Sequence, residues 1–236
     1  MAAILDVHDA GRDRSPTARA VLLAGLHDTP GEGADPLDLP VGARDARLIA
    51  LRQDWFGTGV DCLSECDSCG ETIEVGFDLR AVRAPAAETG ARVEVEAEGR
   101  SWRARVPTSR DLLAAEARRS VAGARATLLE RCLLAPAAEP GEDAAAAVAT
   151  ALAACDAQAD VLLDVACPLC GTRAALPFDI AAHLWSELDR WADALLDDVH
   201  DLASAYGWSE RDILHLPPAR RLAYLERVGR TPGTPL

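Results

Sequence analysis

Apolar residues recur at steps of three and four through Ile180, Leu184, Leu188, Trp191, Leu195, Val199 and Leu202. That period predicts one long amphipathic helix over roughly 179–206. Its stripe needs a cover, either from helices of the same chain or from a partner. Gly207 ends the helix. Ser209, with Asp212 three residues on, then has the spacing of a capping box for a short helix. Leu216-Pro217-Pro218 interrupts the pattern, and Arg220 to Val228 forms a last helix with Leu222, Leu225 and Val228 apolar. The residues from Gly229 to Leu236 read as a frayed tail.

Upstream, the period changes from helix to strand and back. Ser15-Pro16 is an N-cap followed by proline at the first helical position, which opens a helix over Ala18 to His27. Asp28 to Pro40 is a loop, and a second helix runs from Val41 to Phe56 and ends at Gly57. Ile73, Val75 and Phe77 alternate with Thr72, Glu74 and Gly76 as in a strand. Val93, Val95 and Ala97 pair across a Glu98-Gly99-Arg100 turn with Trp102, Ala104 and Val106, giving a hairpin. Thr108 or Ser109 caps a helix entered through Asp111. Helical patterns follow over Leu112 to Ala122, Ala124 to Leu134 and Ala144 to Ala157, with Pro136 to Gly141 as a loop.

Two cysteine pairs organise these elements. Cys66-Asp67-Ser68-Cys69-Gly70 and Cys167-Pro168-Leu169-Cys170-Gly171 each present two thiols from a tight turn, and each is followed at the same spacing by Phe-Asp and Leu or Ile, at Phe77-Asp78-Leu79 and Phe178-Asp179-Ile180. Two such knuckles complete a tetrahedral four-cysteine shell, and the ion this spacing predicts is a structural zinc held by Cys66, Cys69, Cys167 and Cys170. A redox C-x-x-C needs only one pair, and disulfides need an oxidising compartment that nothing in the sequence indicates. Cys62 corresponds in the second copy to Leu163 and reads as packing beneath the site. Cys132 and Cys155 read as small buried hydrophobes, with a reactive thiol or an extra ligand as the alternative.

The predicted fold class is therefore α+β, mainly helical, organised around a discontinuous four-cysteine zinc ribbon with a small antiparallel sheet and a helical insertion. The segments are an N-terminal helical part (1–57), the first zinc-knuckle half with a β-hairpin (58–106), the helical insertion (107–160), the second knuckle half (161–178), the long helix with a C-terminal helix pair (179–228) and the tail (229–236).

Composition narrows the function. All 24 basic residues are Arg, there is no Lys or Asn, and the net charge over 236 residues is −14. An acidic chain does not favour a role built on neutralising phosphates. No signal peptide is read at Met1 to Asp6, and the apolar run from Ala144 to Cys155 is short of the roughly 20 residues a membrane span needs. The expected location is cytoplasmic. A phosphate loop needs a Lys that is missing, and neither a His-Glu-x-x-His motif nor a Gly-rich dinucleotide turn is present. His183 and His200 lie several turns apart on the long helix and read as surface or interface residues. The sequence is not read as an enzyme.

In the order of its motifs the chain resembles the baseplate hub assembly chaperones of T-even type, found in phages and phage-derived injection systems. The resemblance rests on Gly42-Ala43-Arg44-Asp45-Ala46-Arg47-Leu48 before Phe56-Gly57, on the two knuckles, on Phe178-Asp179-Ile180, on Val199-His200-Asp201-Leu202-Ala203 leading to Tyr206-Gly207-Trp208-Ser209-Glu210, and on Arg220-Arg221 with Tyr224-Leu225. It implies a non-enzymatic assembly or accessory role in a contractile tail, with baseplate or hub proteins as partners. The alternative is a zinc-ribbon nucleic-acid-binding or regulatory protein that uses the Trp208 to Val228 helix pair. Trp208, Arg220, Arg221 and Tyr224 concentrate the residue types that dominate interfaces and are the candidate partner-binding positions. The competing reading has Trp208 and Tyr224 anchoring the helix pair to the long helix.

Overall fold

The computed structural model describes residues 2–27, 34–136 and 138–229. Parts of three predicted loops or tails, 28–33, 137 and 230–236, lie outside the described residues. In chain order the helices and strands are α1 (Ala2–Gly11), α2 (Pro16–Ala24), α3 (Val41–Phe56), β1 (Gly59–Glu65), β2 (Thr72–Asp78), β3 (Arg92–Ala97), β4 (Arg100–Arg105), α4 (Ser109–Glu116) and α5 (Val121–Cys132). They continue with β5 (Leu133–Ala135), α6 (Glu142–Cys155), β6 (Leu162–Ala166), β7 (Arg173–Pro177), α7 (Ile180–Tyr206), α8 (Glu210–Leu214) and α9 (Pro218–Arg227). The result is a mixed fold of helices with small antiparallel sheets, β1-β2, β3-β4-β5 and β6-β7. It separates into two compact units, one of Ser15–Ala182 and one of Met1–Arg14 with His183–Leu236.

In the larger unit, β3 and β4 join through Glu98 and Gly99, both at positive φ, and Val95 faces Trp102 across the pair. Trp102 and Ala104 are buried with Ala144 and Val148 of α6, and the indole N–H donates to the Ala97 carbonyl at 3.0 Å, so the buried ring leaves no unpaired donor. The third strand was not predicted. The helical pattern runs to Leu134, but α5 stops at Cys132 and Leu133–Ala135 pairs with β4 instead. Pro136 restricts the preceding residue to extended backbone, and the free edge of β4 supplies the partner.

Buried carboxylates tie the starts of α3 and α4 and the end of α6 to neighbouring segments. Asp156, 2 % exposed, accepts the backbone N–H groups of Gly42 and Ala87, each at 2.9 Å. A Cβ at Gly42 would stand 2.1 Å from an Asp156 oxygen, so α3 approaches this closely only because residue 42 has no side chain. Asp111 is buried, closes a capping box with Thr108, and takes ion pairs from Arg105 and Arg131. Burial pushes its carboxyl up, but the bonds from Arg105, the Thr108 backbone and Arg131 prevail and hold it well below the usual carboxylate range.

In the smaller unit, α1 has no counterpart in the sequence reading. Leu5 packs with Ala192 and Leu195 of α7, while buried His8 meets an Asp189 carboxylate oxygen at 2.9 Å and stacks on Trp185. Further along, Leu202, Ile213 and Leu225 form a core with Val199, Trp208 and Tyr224 against it. Gly207, at φ 69°, turns the chain from α7 towards α8, whose N-cap is Ser209.

Candidate metal centre

Each cysteine pair sits at the tip of a hairpin, and the tips have the same construction. In β1-β2 the last pair of the ladder is Glu65 opposite Thr72, and in β6-β7 it is Ala166 opposite Arg173. The knuckle between them closes through Cys66 N–H to Glu71 O at 2.9 Å and Gly70 N–H to Cys66 O at 2.8 Å, matched by Cys167 N–H to Thr172 O and Gly171 N–H to Cys167 O, both at 2.9 Å. Gly70 and Gly171 hold φ of 72° and 76°, the left-handed backbone this turn needs directly after its second cysteine.

The two tips face each other. Cys66 and Cys170 sulfurs lie 3.6 Å apart, those of Cys69 and Cys167 lie 3.8 Å apart, and all four fall within 4.8 Å of one another. A tetrahedron with bonds of about 2.3 Å has edges of roughly 3.8 Å, so the donor set fits a single central ion. A disulfide would need about 2.05 Å, and all four cysteines are free. Cys66 and Cys167 are buried, whereas Cys69 and Cys170 are exposed. Below the sulfurs, Ile73 and Val75 form a small core with Cys62, Leu163, Val165 and Leu176 around it, and Phe77 meets Phe178 edge to face at 5.0 Å. The Cys62 thiol bonds to the Val75 carbonyl at 3.4 Å, away from the cluster, in keeping with the exclusion drawn from the repeat.

The chemistry of the donor set also fits a cation. Thr172, through hydroxyl and backbone, holds the Cys170 thiol down to about 6. At Cys69 the Glu71 backbone N–H pulls the same way, yet desolvation and the neighbouring sulfurs push the thiol up to about 12. Sulfurs this close do not all ionise on their own. A central positive charge is what allows every one of them to be thiolate.

The remaining site candidates lie elsewhere. Trp208, Tyr206 and Tyr224 form a cluster of mutual ring contacts with centroids 4.7 to 5.6 Å apart. The Arg221 guanidinium meets Asp198 of α7 at 3.3 Å, while Arg220 is exposed. Cys132 is 2 % exposed and its thiol is pushed up to about 11 by burial and by Asp111, which makes it unreactive. Among the described residues no helix is long and apolar enough to cross a membrane. Sequence reasoning missed the polar ties of Asp156 and Gln158, for which no motif exists. The Phe77–Phe178 contact was within reach, since the repeat carries both rings at matched positions.

No protein-family model matches the chain, and neither the curated proteins nor the solved structures contain a significant match to it.

Proposed function

We propose that this chain is a non-enzymatic assembly factor or accessory component of a contractile, phage-tail-like baseplate, and that Cys66, Cys69, Cys167 and Cys170 hold a structural zinc between the two halves of a zinc ribbon. The observation that carries the metal reading is the convergence of four sulfurs within 4.8 Å from hairpins remote in sequence. Four soft thiolates in a tetrahedral arrangement suit zinc, and a closed shell leaves no position for water or substrate. The ion would therefore act as a cross-link. The assembly role is supported by the motif order the chain shares with hub assembly chaperones, and by nothing else.

Metal analysis of the purified chain should give one zinc, and a Cys66→Ser/Cys167→Ser double variant should retain none in stoichiometric amount. Retention by that variant removes the assignment. For the assembly role, the chain should co-purify with hub or baseplate proteins from assembling tails. Its presence there and absence from finished particles would identify a chaperone, and presence in both an accessory component. Tight, salt-sensitive binding to random duplex DNA, abolished by Arg220→Ala/Arg221→Ala, would replace the assembly reading with a nucleic-acid one.

A further inference from the structure

Both knuckle tips are open to solvent. Residues 67–72 and 168–173 are exposed throughout, and they include Cys69 and Cys170, the second cysteine of each pair. Cys66 and Cys167, the first of each pair, are 7 % and 3 % exposed. Each half of the cluster therefore shows one cysteine to solvent and keeps the other covered.

The sulfur contacts run across the hairpins. Exposed Cys170 lies 3.6 Å from buried Cys66, and exposed Cys69 lies 3.8 Å from buried Cys167, sulfur to sulfur. A disulfide needs about 2.05 Å, so each cross pair closes by a short approach of the two tips. Pairing within a knuckle would work against a turn already held by backbone hydrogen bonds, Cys66 N–H to Glu71 O and Gly70 N–H to Cys66 O in the first.

We propose that Cys69 and Cys170 are oxidation sites for a hydroperoxide, and that their oxidation replaces the metal cross-link by two disulfides between the hairpins, Cys66 with Cys170 and Cys69 with Cys167. The proposal rests on the metal reading, under which all four sulfurs are thiolates. The Cys170 thiolate attacks one oxygen of hydrogen peroxide: an S–O bond forms, the O–O bond breaks, hydroxide leaves, and the sulfur is oxidised by two electrons to a sulfenic acid. The Cys66 thiolate then attacks that sulfur, so the S–S bond forms, the S–O bond breaks and a second hydroxide leaves. Cys69 and Cys167 repeat both steps. In total, four thiolates, two peroxide molecules and four protons give two disulfides and four water molecules. No thiolate is left to hold the ion, and the hairpins stay joined.

The test starts from the full chain as purified. Metal content is measured first, so a chain that carries no zinc fails the metal reading before any oxidant is added, and takes this proposal with it. On titration with hydrogen peroxide at neutral pH, a colorimetric chelator should register loss of all the zinc, with two peroxides consumed per ion. The chain has no Lys, so trypsin cuts it only after Arg, leaving Cys66 and Cys69 on residues 53–80 and Cys167 and Cys170 on residues 132–173. Without reductant these two fragments should run as one joined species, and reduction should part them. Further cleavage before Asp67 and after Leu169 puts the four cysteines on separate peptides, where Cys66 should be found with Cys170 and Cys69 with Cys167. Bridges within each knuckle, a bridge joining the two buried cysteines, or any bridge to Cys62, Cys132 or Cys155 overturns the proposal. So does sulfinate at Cys69 and Cys170 with Cys66 and Cys167 still thiols, or full retention of zinc under about tenfold excess of peroxide.

Discussion

The two hairpins that present the cysteines have the same turn and the same ladder register, yet the protein supports them unequally. In the first, Val60, Ile73 and Val75 are 1 %, 5 % and 8 % exposed. In the second, the corresponding inward positions Val161, Ala174 and Leu176 are only half-buried. Their exits differ as well. Asp78 caps a single 3-10 turn (Leu79–Val82), whereas Asp179 accepts the Ala182 N–H and starts the 27 residues of α7. A symmetric four-cysteine cluster thus joins a hairpin whose inward side chains are well buried to one whose inward side chains are half-buried, and the second should depend more on the proposed ion.

The largest test of that difference is removal of the proposed metal. Chelation should cost on the order of 10 kcal/mol of binding free energy and lower the melting temperature more than any single substitution away from the cysteines. Hydrogen exchange should then show β6-β7 losing amide protection before β1-β2, and equal loss would mean that the two halves are supported alike. Next in size, Phe77→Ala and Phe178→Ala should each destabilise by about 3 kcal/mol in denaturant unfolding, because either change deletes the ring contact between the halves.

A pH experiment probes the ground beneath the second hairpin. Burial, opposed by Arg44, pushes the Asp45 carboxyl up to about 6. Its folded value exceeds its unfolded one, so the folded state binds the proton more tightly, and this contribution to stability is present below about pH 4 and lost as pH rises through 6. Relative to Asp45→Asn, the wild type should lose about 2 kcal/mol between pH 4 and pH 7. An unchanged difference would show that the pair with Arg44 keeps Asp45 ionised throughout. Val75→Ala should cost about 2 kcal/mol and Leu176→Ala about 1, in line with their burial. Gly70→Ala and Gly171→Ala should likewise cost only about 1 kcal/mol each, through backbone strain alone, since an added Cβ at either meets nothing within 4 Å. A marked inequality here would show that the knuckles are not equivalent.

How much of this was legible in the sequence follows from the range of each interaction. The knuckles and their strands could be read because ligand spacing and alternation are local and repeated. The long helix could be read because its stripe is continuous. Helix α1 could not, since the reason for its place is His8 against Asp189, 181 residues away, with Leu5 in the same patch. Strand β5 escaped because three residues of extended chain acquire meaning only beside the open edge of β4. The Gly42–Asp156 contact was hidden in a helix start that looked ordinary. Nor could the sequence say that Arg221, singled out for docking, would lie against Asp198.

The order in which the ribosome releases the cysteines adds a constraint of time. The sulfurs that meet across the cluster belong to residues 104 and 98 positions apart. At about 5–20 residues per second, Cys66 and Cys69 emerge roughly 5–20 seconds before Cys167 and Cys170 can join them. During that interval the first hairpin lacks Leu163, Val165 and Leu176, which pack against its Ile73 and Val75, and has only two of the four cysteines. Its two thiols must wait reduced, or hold an ion with solvent completing the shell, until the second tip arrives.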